Sequence, residues 1–360
     1  MARVLALYLP QYHPIPENDA WWGKGFTEWT NVARAKPQFR GHYQPHLPGE
    51  LGFYDLRVPE TRIAQAALAR EYGLSGFCYY HYWFNGRLLL ERPLKEVLES
   101  GKPDFPFCMC WANENWTRTW SGGDDQMLMQ QKYTPDDHVA HMRWLAPYMR
   151  DPRYVKVRGM PVFLVYRASQ IDDVRDATAL WRDEARRLGF PGLYLIRFES
   201  IHVGEQDVDP APSGFDATAE FQPRSSNAGA QKPIWLRGRF RKLAPPIYNR
   251  HRIRDYDRLV KGALMRPRAG YKRFPCVTPG WDNSARRKDR AAHIWVNGTP
   301  QSYERWLREA LRRFEPFGED EDFVFINAWN EWAEGNHIEP DQRWGRAYLE
   351  ATKRAIETRR

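Results

Sequence analysis

Apolar runs alternate with amphipathic stretches from one end of the chain to the other. Eight of these runs have the length and composition of β-strands, and they cover residues 4–10, 76–83, 105–111, 161–167, 193–199, 215–222, 274–282 and 323–332. Most are apolar at nearly every position, which is typical of strands that are covered on both faces. Between them, helical periodicity occurs over residues 59–73, 135–149, 173–189, 303–314 and 345–357. Several of these segments begin with Asp or Pro and two end at Gly, as helices commonly do.

The alternation of strands with helices predicts the α/β class and, within it, a (β/α)8 TIM barrel. The chain is predicted to form a single domain over residues 1–360 with long loops after the strands. A doubly wound open sheet is the alternative, and it is disfavoured because no Gly-rich phosphate loop follows the first strand. The Arg- and Pro-rich residues 223–254 are predicted to form a long loop after the sixth strand.

The composition is rich in aromatic residues, with 16 Trp, 18 Tyr and 18 Phe. Core packing can absorb many of these rings, but Trp and Tyr beside Glu, Asn and His also suit a surface that stacks on the apolar faces of sugars. The net charge of +9, with arginines concentrated in 237–254 and 285–290, would suit nucleic acid, an anionic membrane or an acidic substrate. No nucleic-acid-binding motif accompanies the charge. A solvated basic face is therefore favoured, and peripheral membrane association stays open.

The cysteines and histidines do not form a recognisable metal-binding motif. All four cysteines lie in apolar, strand-like runs: Cys78, Cys108, Cys110 and Cys276. Free Cys in such runs is a small buried hydrophobic residue, and no further Cys or His pair completes a zinc site. His42 and His46 have helical spacing, but Pro45 lies between them and argues against a metal-binding helix. No secretion signal or membrane span is evident. These features predict a cytoplasmic protein without a metal or cofactor.

Polar and aromatic side chains collect at the predicted carboxyl end of nearly every strand, where a barrel assembles its active site. The residues predicted to bind substrate there are Tyr12, His13, Trp22, Glu28, Trp29, Tyr80, His81, Trp83, Trp111, Asn113, Glu114, Trp116, Glu220, Trp281, Asn330 and Trp332. A structural role could explain one or two of these groups, but their convergence predicts a functional site. The aromatic loop 21–31 is expected to form part of a sugar-binding wall.

The segment WNEWAEGNHIEP, residues 329–340, places Glu331 and Glu334 directly after the eighth strand. Buried carboxylates are costly unless they are paired or hydrogen-bonded. Cleavage of a glycosidic bond usually needs two carboxyl groups, one as the acid and the other as nucleophile or base. Trp329 and Trp332 could restrict water and raise the pKa of one carboxyl group. Alone, such a pair is often a capping carboxylate and a surface one, but its position favours a catalytic role.

Four long segments resemble a known family: YLPQYHPIPEND with the aromatic loop that follows it, GFCYYHYWF, WANENWTRTW and NAWNEWAEGNHIEP. They resemble the WbsX-like glycosyltransferase family, which is grouped with domains similar to glycoside hydrolase family 99. The resemblance runs over nearly the whole chain and weakens over residues 200–270. That hydrolase family comprises endo-acting α-mannosidases and mannanases on a (β/α)8 barrel, so the resemblance implies the same fold and an endo-α-mannosidase-like activity.

The resemblance also implies roles for the two carboxylates. In the hydrolases a similar NEWxEG segment carries both catalytic groups. By that similarity Glu331 is the base that acts on the 2-hydroxyl of the sugar, an epoxide-like intermediate forms, and the configuration is retained overall. Glu334 is then the acid and afterwards the base. The elaborate aromatic loop and the arginine-rich middle segment depart from the hydrolases.

The leading interpretation is a retaining hydrolase that cleaves an α-glycosidic bond in a bacterial surface or related polysaccharide. Two alternatives stay open: a glycosyltransferase of O-antigen or surface-polysaccharide biosynthesis, and a non-catalytic glycan-binding protein. The presence of both Glu331 and Glu334 argues against the binding protein. The missing phosphate loop argues against a nucleotide-sugar donor, although a lipid-linked donor or a transglycosylation reaction would need none.

Overall fold

Parallel strands pair in chain order in the computed structural model of the protein. The structure describes residues 2–117, 126–200, 204–224, 250–287 and 290–358. The strands of this sheet are β1 Arg3–Tyr8, β2 Gly76–Phe84, β3 Phe107–Trp111, β4 Met160–Val165, β5 Tyr194–Glu199, β6 Ala217–Glu220, β7 in two parts, Arg273–Phe274 and Cys276–Val277, and β8 Phe323–Ile326. All nine residues of β2 are buried, as its apolar sequence predicts for a strand with both faces covered.

The two parts of β7 join the ends of the sheet. Arg273–Phe274 pairs with β6 and Cys276–Val277 pairs with β8, which in turn pairs with β1. Pro275 separates the two parts because proline has no N–H for the ladder, but its carbonyl still accepts a hydrogen bond from the Phe325 amide at 2.8 Å. The (β/α)8 barrel predicted from the sequence is confirmed. The prediction of a single domain over residues 1–360 stays a prediction.

Helices connect the strands and cover the outside of the barrel. They are α1 Pro16–Trp22, α2 Glu28–Arg34, α3 Pro59–Glu71, α4 Arg92–Ser100, α5 Pro135–Arg150, α6 Val174–Arg187, α7 Tyr256–Leu264, α8 Pro300–Arg313 and α9 Ala347–Glu357. The five predicted helices correspond to α3, α5, α6, α8 and α9. Thr134 and Thr299 cap α5 and α8, and a proline occupies the first turn of each, which satisfies amides that have no partner within the helix. None of the helices in the described ranges is long and apolar enough to cross a membrane.

The protein also contains short helices and short strands in addition to the barrel strands and the helices that cover them. The short helices of 3-10 type are Ala168–Gln170, Ala211–Ser213, Asn283–Ala285 and Trp332–Glu334. The additional strands are Arg87–Leu89, Trp116–Thr117, Met127–Met129, Lys156–Val157, Arg252–Asp255, His293–Val296, Asn330–Glu331 and Asn336–His337. The four cysteines are free and buried, as their apolar surroundings predict.

Three regions differ from the sequence prediction. The seventh strand ends at Val277 rather than continuing to residue 282. The eighth strand ends at Ile326 rather than continuing to residue 332, because Asn330–Glu331 turns back and pairs with Asn336–His337. Residues 225–249 of the predicted loop 223–254, and with them most of the basic segment 237–254, lie outside the described residues, as do residues 288–289 of the second basic segment. The end of that loop is not irregular. Arg252–Asp255 pairs in parallel with His293–Val296, and Ile253 and Ile294 bury a small apolar cluster between them.

Candidate active site

A cavity lies at the carboxyl ends of the barrel strands. Its aromatic lining residues are Trp22, Phe26, Tyr80, Tyr82, Trp116, Tyr166, Phe221 and Trp281. Glu331, Glu334 and Arg286 line the same cavity, together with Glu28 and Glu114. Aromatic walls with a few charged groups are typical of sites that hold a small ligand and orient it through specific polar contacts.

The chain after β8 is fixed by hydrogen bonds that replace strand pairing. The Asn330 side chain accepts from the Leu9 amide at 2.7 Å and donates to the Leu9 carbonyl at 3.0 Å. The Tyr12 hydroxyl donates to the Asn330 carbonyl and accepts from the Trp332 amide. Both contacts anchor the segment that carries Glu331 to the end of β1. Because each polar group is buried and satisfied, the turn that carries Glu331 and Glu334 is held in one conformation.

Gly335 lets this turn reverse tightly. Its φ of +56° lies in the left-handed region, and a Cβ added there would approach the Cβ of Asp282 to 3.1 Å. A side chain at this position would therefore be strained both by its backbone conformation and by contact. The Asp282 amide donates to the Glu334 carbonyl at 2.6 Å, so the loops after β7 and β8 are joined at the turn.

Arg286 connects three carboxylates at the base of the cavity. Its Nη2 donates to Glu331 Oε2 at 2.9 Å, and its Nη1 donates to Glu334 Oε1 at 2.7 Å. Its Nε donates to Glu28 Oε2 at 3.1 Å. The Arg286 side chain is only 9% exposed. A planar guanidinium that presents its donors in a fixed fork can hold several carboxylates in a defined geometry, so it sets the relative positions of Glu331 and Glu334.

The charges in this cluster do not balance. One guanidinium directly contacts three carboxylates, of which Glu28 and Glu331 are buried and Glu334 is partly buried. Full ionisation would therefore leave uncompensated negative charge in a poorly polarisable site. Burial raises the pKa of Glu331 to about 8, although Arg286 acts in the opposite direction. Burial also raises the pKa of Glu334 above its usual range. The Glu331–Glu334 pair is therefore expected to retain a proton near neutral pH, as a site for acid–base chemistry requires.

Trp332 packs behind the turn that carries Glu331 and Glu334. It is fully buried, its indole N–H donates to Glu339 Oε2 at 2.7 Å, and its ring stacks on His337 with centroids 3.7 Å apart. Glu339 also accepts from the Tyr54 hydroxyl and from Gln65 Nε2. Burial raises the pKa of Glu339 to about 7 despite these donors. Trp332 thus positions the turn and does not line the cavity.

The structure brings about half of the predicted site residues together. Those that line the cavity with Glu331 and Glu334 are Trp22, Glu28, Tyr80, Glu114, Trp116 and Trp281. Tyr12, Trp29, Asn330 and Trp332 form a buried layer behind it, where Trp29 packs on Tyr12 and Trp332. Of the three tryptophans in the loop 21–31, only Trp22 lines the cavity, since Trp21 packs on Trp116.

The other predicted residues lie away from the cavity. His81 and Trp83 face α5, where both contact His141. Successive side chains of a strand point to opposite faces, so Tyr80 and Tyr82 point inward and the residues next to them point outward. Trp111 packs on His141 and Trp181, and the Asn113 side chain donates to the Arg167 carbonyl. Glu220 forms an ion pair with Arg266, and His13 is buried outside the cavity lining.

The sequence analysis missed Arg286, Tyr166 and Phe221. Arg286 belongs to the segment ARRKDR, which was interpreted as a solvated basic face. Its position four residues after Asp282, at the end of the seventh predicted strand, was the available signal. A short helix, Asn283–Ala285, begins there, and the Asp282 side chain caps it by accepting from the Ser284 amide. This turn directs the Arg286 side chain inward.

Comparison with known proteins identifies relatives over nearly the whole chain. The family model described as Glycosyltransferase WbsX matches residues 4–352. Proteins from two strains of Xanthomonas campestris pv. campestris, each named Uncharacterized protein WxcX, are 44% identical over 356 residues. The match covers 99% of this chain and 50% of each relative, so the chain spans about half the length of the curated relatives it matches.

Solved structures with a similar fold include glycoside hydrolases. A GH99 endo-alpha-mannosidase from Bacteroides thetaiotaomicron has a TM-score of 0.58 and 14% identity, covering 99% of this chain and 97% of that one. A structure described as a glycoside hydrolase-like protein has a TM-score of 0.62 and 14% identity, covering 98% and 93%. At this level of identity the similarity shows a shared fold.

Proposed function

The chain belongs to the WbsX glycosyltransferase family, a family of carbohydrate-active enzymes, and from this premise we propose that it is a retaining, endo-α-mannosidase-like hydrolase. Its substrate would be an α-linked oligosaccharide or polysaccharide, such as a bacterial surface glycan. The observation that carries the proposal is the arrangement of Glu331 and Glu334. Both carboxylates are held by the same guanidinium below an aromatic cavity at the end of the barrel where catalytic groups collect.

The proposed reaction has two steps. In the first, Glu331 takes the proton of the 2-hydroxyl, the O2 oxygen attacks C1, and the bond from C1 to the leaving oxygen breaks as Glu334 protonates that oxygen. An epoxide-like intermediate results. In the second, Glu334 removes a proton from water, the water oxygen attacks C1, the C1–O2 bond breaks, and O2 recovers its proton from Glu331. Two inversions at C1 give net retention. The roles of the carboxylates are those of the similar NEWxEG segment in glycoside hydrolase family 99.

The proposal requires the shared proton to move when substrate binds. Burial raises the pKa of Glu331 to about 8, so this carboxyl group holds a proton readily, whereas a base must be ionised. A 2-hydroxyl that donates a hydrogen bond to Glu331 would favour its ionised form. The proton would then reside on Glu334, which the reaction requires as an acid. Arg286 contacts both groups and keeps them fixed during this exchange.

The aromatic lining gives the substrate a place to stack. Trp22, Trp281 and Tyr80 present rings to the cavity from three different segments, and such rings can pack on the apolar C–H faces of a pyranose. Glu28 and Asn31 supply polar groups from the same helix, α2. We propose that the aromatic rings bind the sugar by stacking and that the polar residues orient its hydroxyl groups.

Glycosyl transfer is the second candidate, and the family description favours it. The same intermediate could be opened by a sugar hydroxyl in place of water, which gives transfer with retention and uses the same two carboxylates. Such a reaction would use a glycoside or a lipid-linked donor. Incubation with a defined α-linked glycan distinguishes the two: hydrolysis releases new reducing ends, whereas transfer lengthens an added acceptor sugar.

The proposed function is tested by Glu331→Gln and Glu334→Gln, each assayed on a natural glycan and on an activated aryl or fluoride α-mannoside. Loss of a general acid or base typically lowers turnover by about 10²–10⁴-fold. Glu334→Gln should be impaired most on the natural glycan, because an activated leaving group needs little protonation. Glu331→Gln should be impaired on both, because Glu331 acts on the sugar itself.

The matched control is Glu321→Gln. Glu321 is also buried, but it lies before β8, at the opposite end of the barrel, where Lys272 binds it at 2.7 Å. This variant should melt at a lower temperature and keep its turnover per folded molecule. If Glu331→Gln and Glu334→Gln behave in the same way as this control, the two carboxylates are scaffolding. Binding of a glycan without turnover by the unmodified protein would support the non-catalytic alternative.

A further inference from the structure

A second group of potential ligands lies next to the catalytic turn but outside the catalytic cavity. His46, His337 and Asp341 each offer a donor atom, and these three atoms lie within 4.8 Å of one another. The Nδ1 of His46 is 3.0 Å from the Nε2 of His337, and Asp341 Oδ2 is 4.0 Å from that same Nε2. The sequence did not suggest this cluster, because His46 is separated from the other two residues by more than 290 positions.

Surrounding hydrogen bonds hold the side chains of His337 and Asp341 in place. His337 Nδ1 lies 3.1 Å from the Glu339 carbonyl, to which it donates, so the Nε2 of His337 carries a lone pair. Tyr43 donates to Asp341 Oδ2 at 3.0 Å, and the Trp344 amide donates to the other carboxylate oxygen at 2.5 Å. Backbone and side-chain donors of this kind commonly fix the ligands of a metal ion.

The three side chains are wholly or partly buried. His337 and Asp341 are 5% and 4% exposed, and His46 is partly buried. Neutral imidazole and ionised carboxylate are the species that coordinate a cation.

The dimensions suit a small tetrahedral ion. Bonds of about 2.1 Å to nitrogen or oxygen place neighbouring tetrahedral ligand atoms about 3.4 Å apart. Two of the three separations, 3.0 and 4.0 Å, fall on either side of this distance, and the third is at most 4.8 Å. The cluster forms one wall of a separate cavity of about 160 Å³, which leaves room for a water molecule as the fourth ligand. Two imidazoles and a carboxylate are ligands that Zn²⁺ accepts.

We propose that His46, His337 and Asp341 form a Zn²⁺ site, with water as the fourth ligand, that ties the loop after α2 to the catalytic turn. None of the three residues lines the catalytic cavity, so the ion would not contact the sugar. Its effect would reach the turn through His337, whose ring stacks on Trp332 between Glu331 and Glu334. The site is independent of the proposed reaction and does not change which groups carry it.

The test uses the tag-free full chain, dialysed against a chelator and then titrated with Co²⁺. Cobalt bound by four ligands in a tetrahedron absorbs visible light, so its spectrum reports both the stoichiometry and the geometry. We expect saturation at one equivalent and displacement by Zn²⁺. With Zn²⁺ at about 100 times its dissociation constant, the melting temperature should rise by about 3–4 °C.

Variants identify the ligands. His46→Ala and Asp341→Asn should each weaken Co²⁺ binding at least about tenfold, because each removes a direct ligand. The control His293→Ala removes a partly exposed histidine outside the cluster and should bind normally. Circular dichroism checks that each variant is folded, and the titration of the unmodified chain does not depend on them.

Two results would overturn the proposal. The first is the absence of saturable Co²⁺ binding by the unmodified chain, which would mean that His46 simply donates a hydrogen bond to His337. The second is unchanged binding by folded His46→Ala and Asp341→Asn, which would place any bound ion elsewhere. Turnover measured well below the melting temperature should be the same with and without Zn²⁺, which separates this site from the catalytic one.

Discussion

Replacing Arg286 by methionine should destabilise the protein to an extent that depends on pH. Arg286 is 9% exposed and contacts Glu28, Glu331 and Glu334. Methionine keeps an apolar stem but removes the charge, so three carboxylates would face one another without their common partner. Removing one member of a buried ion pair typically costs about 3–5 kcal/mol, because the charge left behind is uncompensated.

The pH dependence follows from the pKa shifts. Arg286 lowers the pKa of Glu331 and Glu334 against the larger effect of burial. Without Arg286, the pKa of each carboxyl group should rise further above its usual value. A group whose pKa is raised in the folded state loses stability as the pH rises through that folded-state pKa. The destabilisation should therefore be small near pH 5, where the carboxyl groups can bind protons, and full near pH 9.

The expected change in melting temperature can be worked out from the chain length. Unfolding entropy is about 2.1 cal/mol/K per residue, which for 360 residues gives about 0.76 kcal/mol/K. A loss of about 3–5 kcal/mol thus corresponds to about 4–7 °C at pH 9. Thermal melts of the unmodified protein and of Arg286→Met at pH 5, 7 and 9 measure this change in melting temperature. Adding Glu28→Gln, which removes one of the three carboxylate charges, should restore part of the loss.

Arg312→Met is the control, because Arg312 is 68% exposed and forms a surface pair with Glu309. Exposed pairs contribute about 0–1 kcal/mol, so this variant should change the melting temperature by about 1 °C or less. The reasoning is refuted if Arg286→Met melts like the unmodified protein at pH 9. It is also refuted if the difference is the same at all three pH values, since a loss of packing alone would not depend on pH.

Three further predictions concern the same cavity. Trp22→Ala should raise KM by about tenfold with little change in melting temperature, because the Trp22 ring lines the cavity and is only partly buried. Steady-state kinetics and thermal melts measure both quantities, and an unchanged KM would contradict the prediction. Exhaustive chelation should leave turnover unchanged, because the proposed reaction uses Glu331 and Glu334 as acid and base and needs no metal ion. Activity that is lost and then restored by a divalent ion would contradict this prediction. Glu331→Gln should raise the melting temperature above that of the unmodified protein, and by more at pH 9 than at pH 5. The reason is that the pKa of Glu331 is raised in the folded state, so its ionised form destabilises the fold. A larger rise at pH 5 than at pH 9 in thermal melts would contradict the prediction.

The amino-acid sequence by itself determined the barrel and the position of the carboxylate pair. Strands covered on both faces must be apolar throughout, and helices that cover them must be amphipathic, so both patterns are local and can be recognised without the fold. Glu331 and Glu334 follow the last apolar run, and in a barrel that position already identifies the end where a site forms. The prediction that Glu331 and Glu334 lie at the cavity depends on this property of barrels.

Only the tertiary structure decided which neighbouring side chains face the cavity. Tyr80 and His81 lie in a strand in which every residue is buried, so hydrophobicity does not show which face is the inner one. From the sequence, Arg286 resembles the other arginines of a basic surface segment, whereas the turn after β7 places its guanidinium between Glu28 and the turn that carries Glu334. Contacts between residues hundreds of positions apart depend on how the barrel closes, and no local pattern along the chain encodes them.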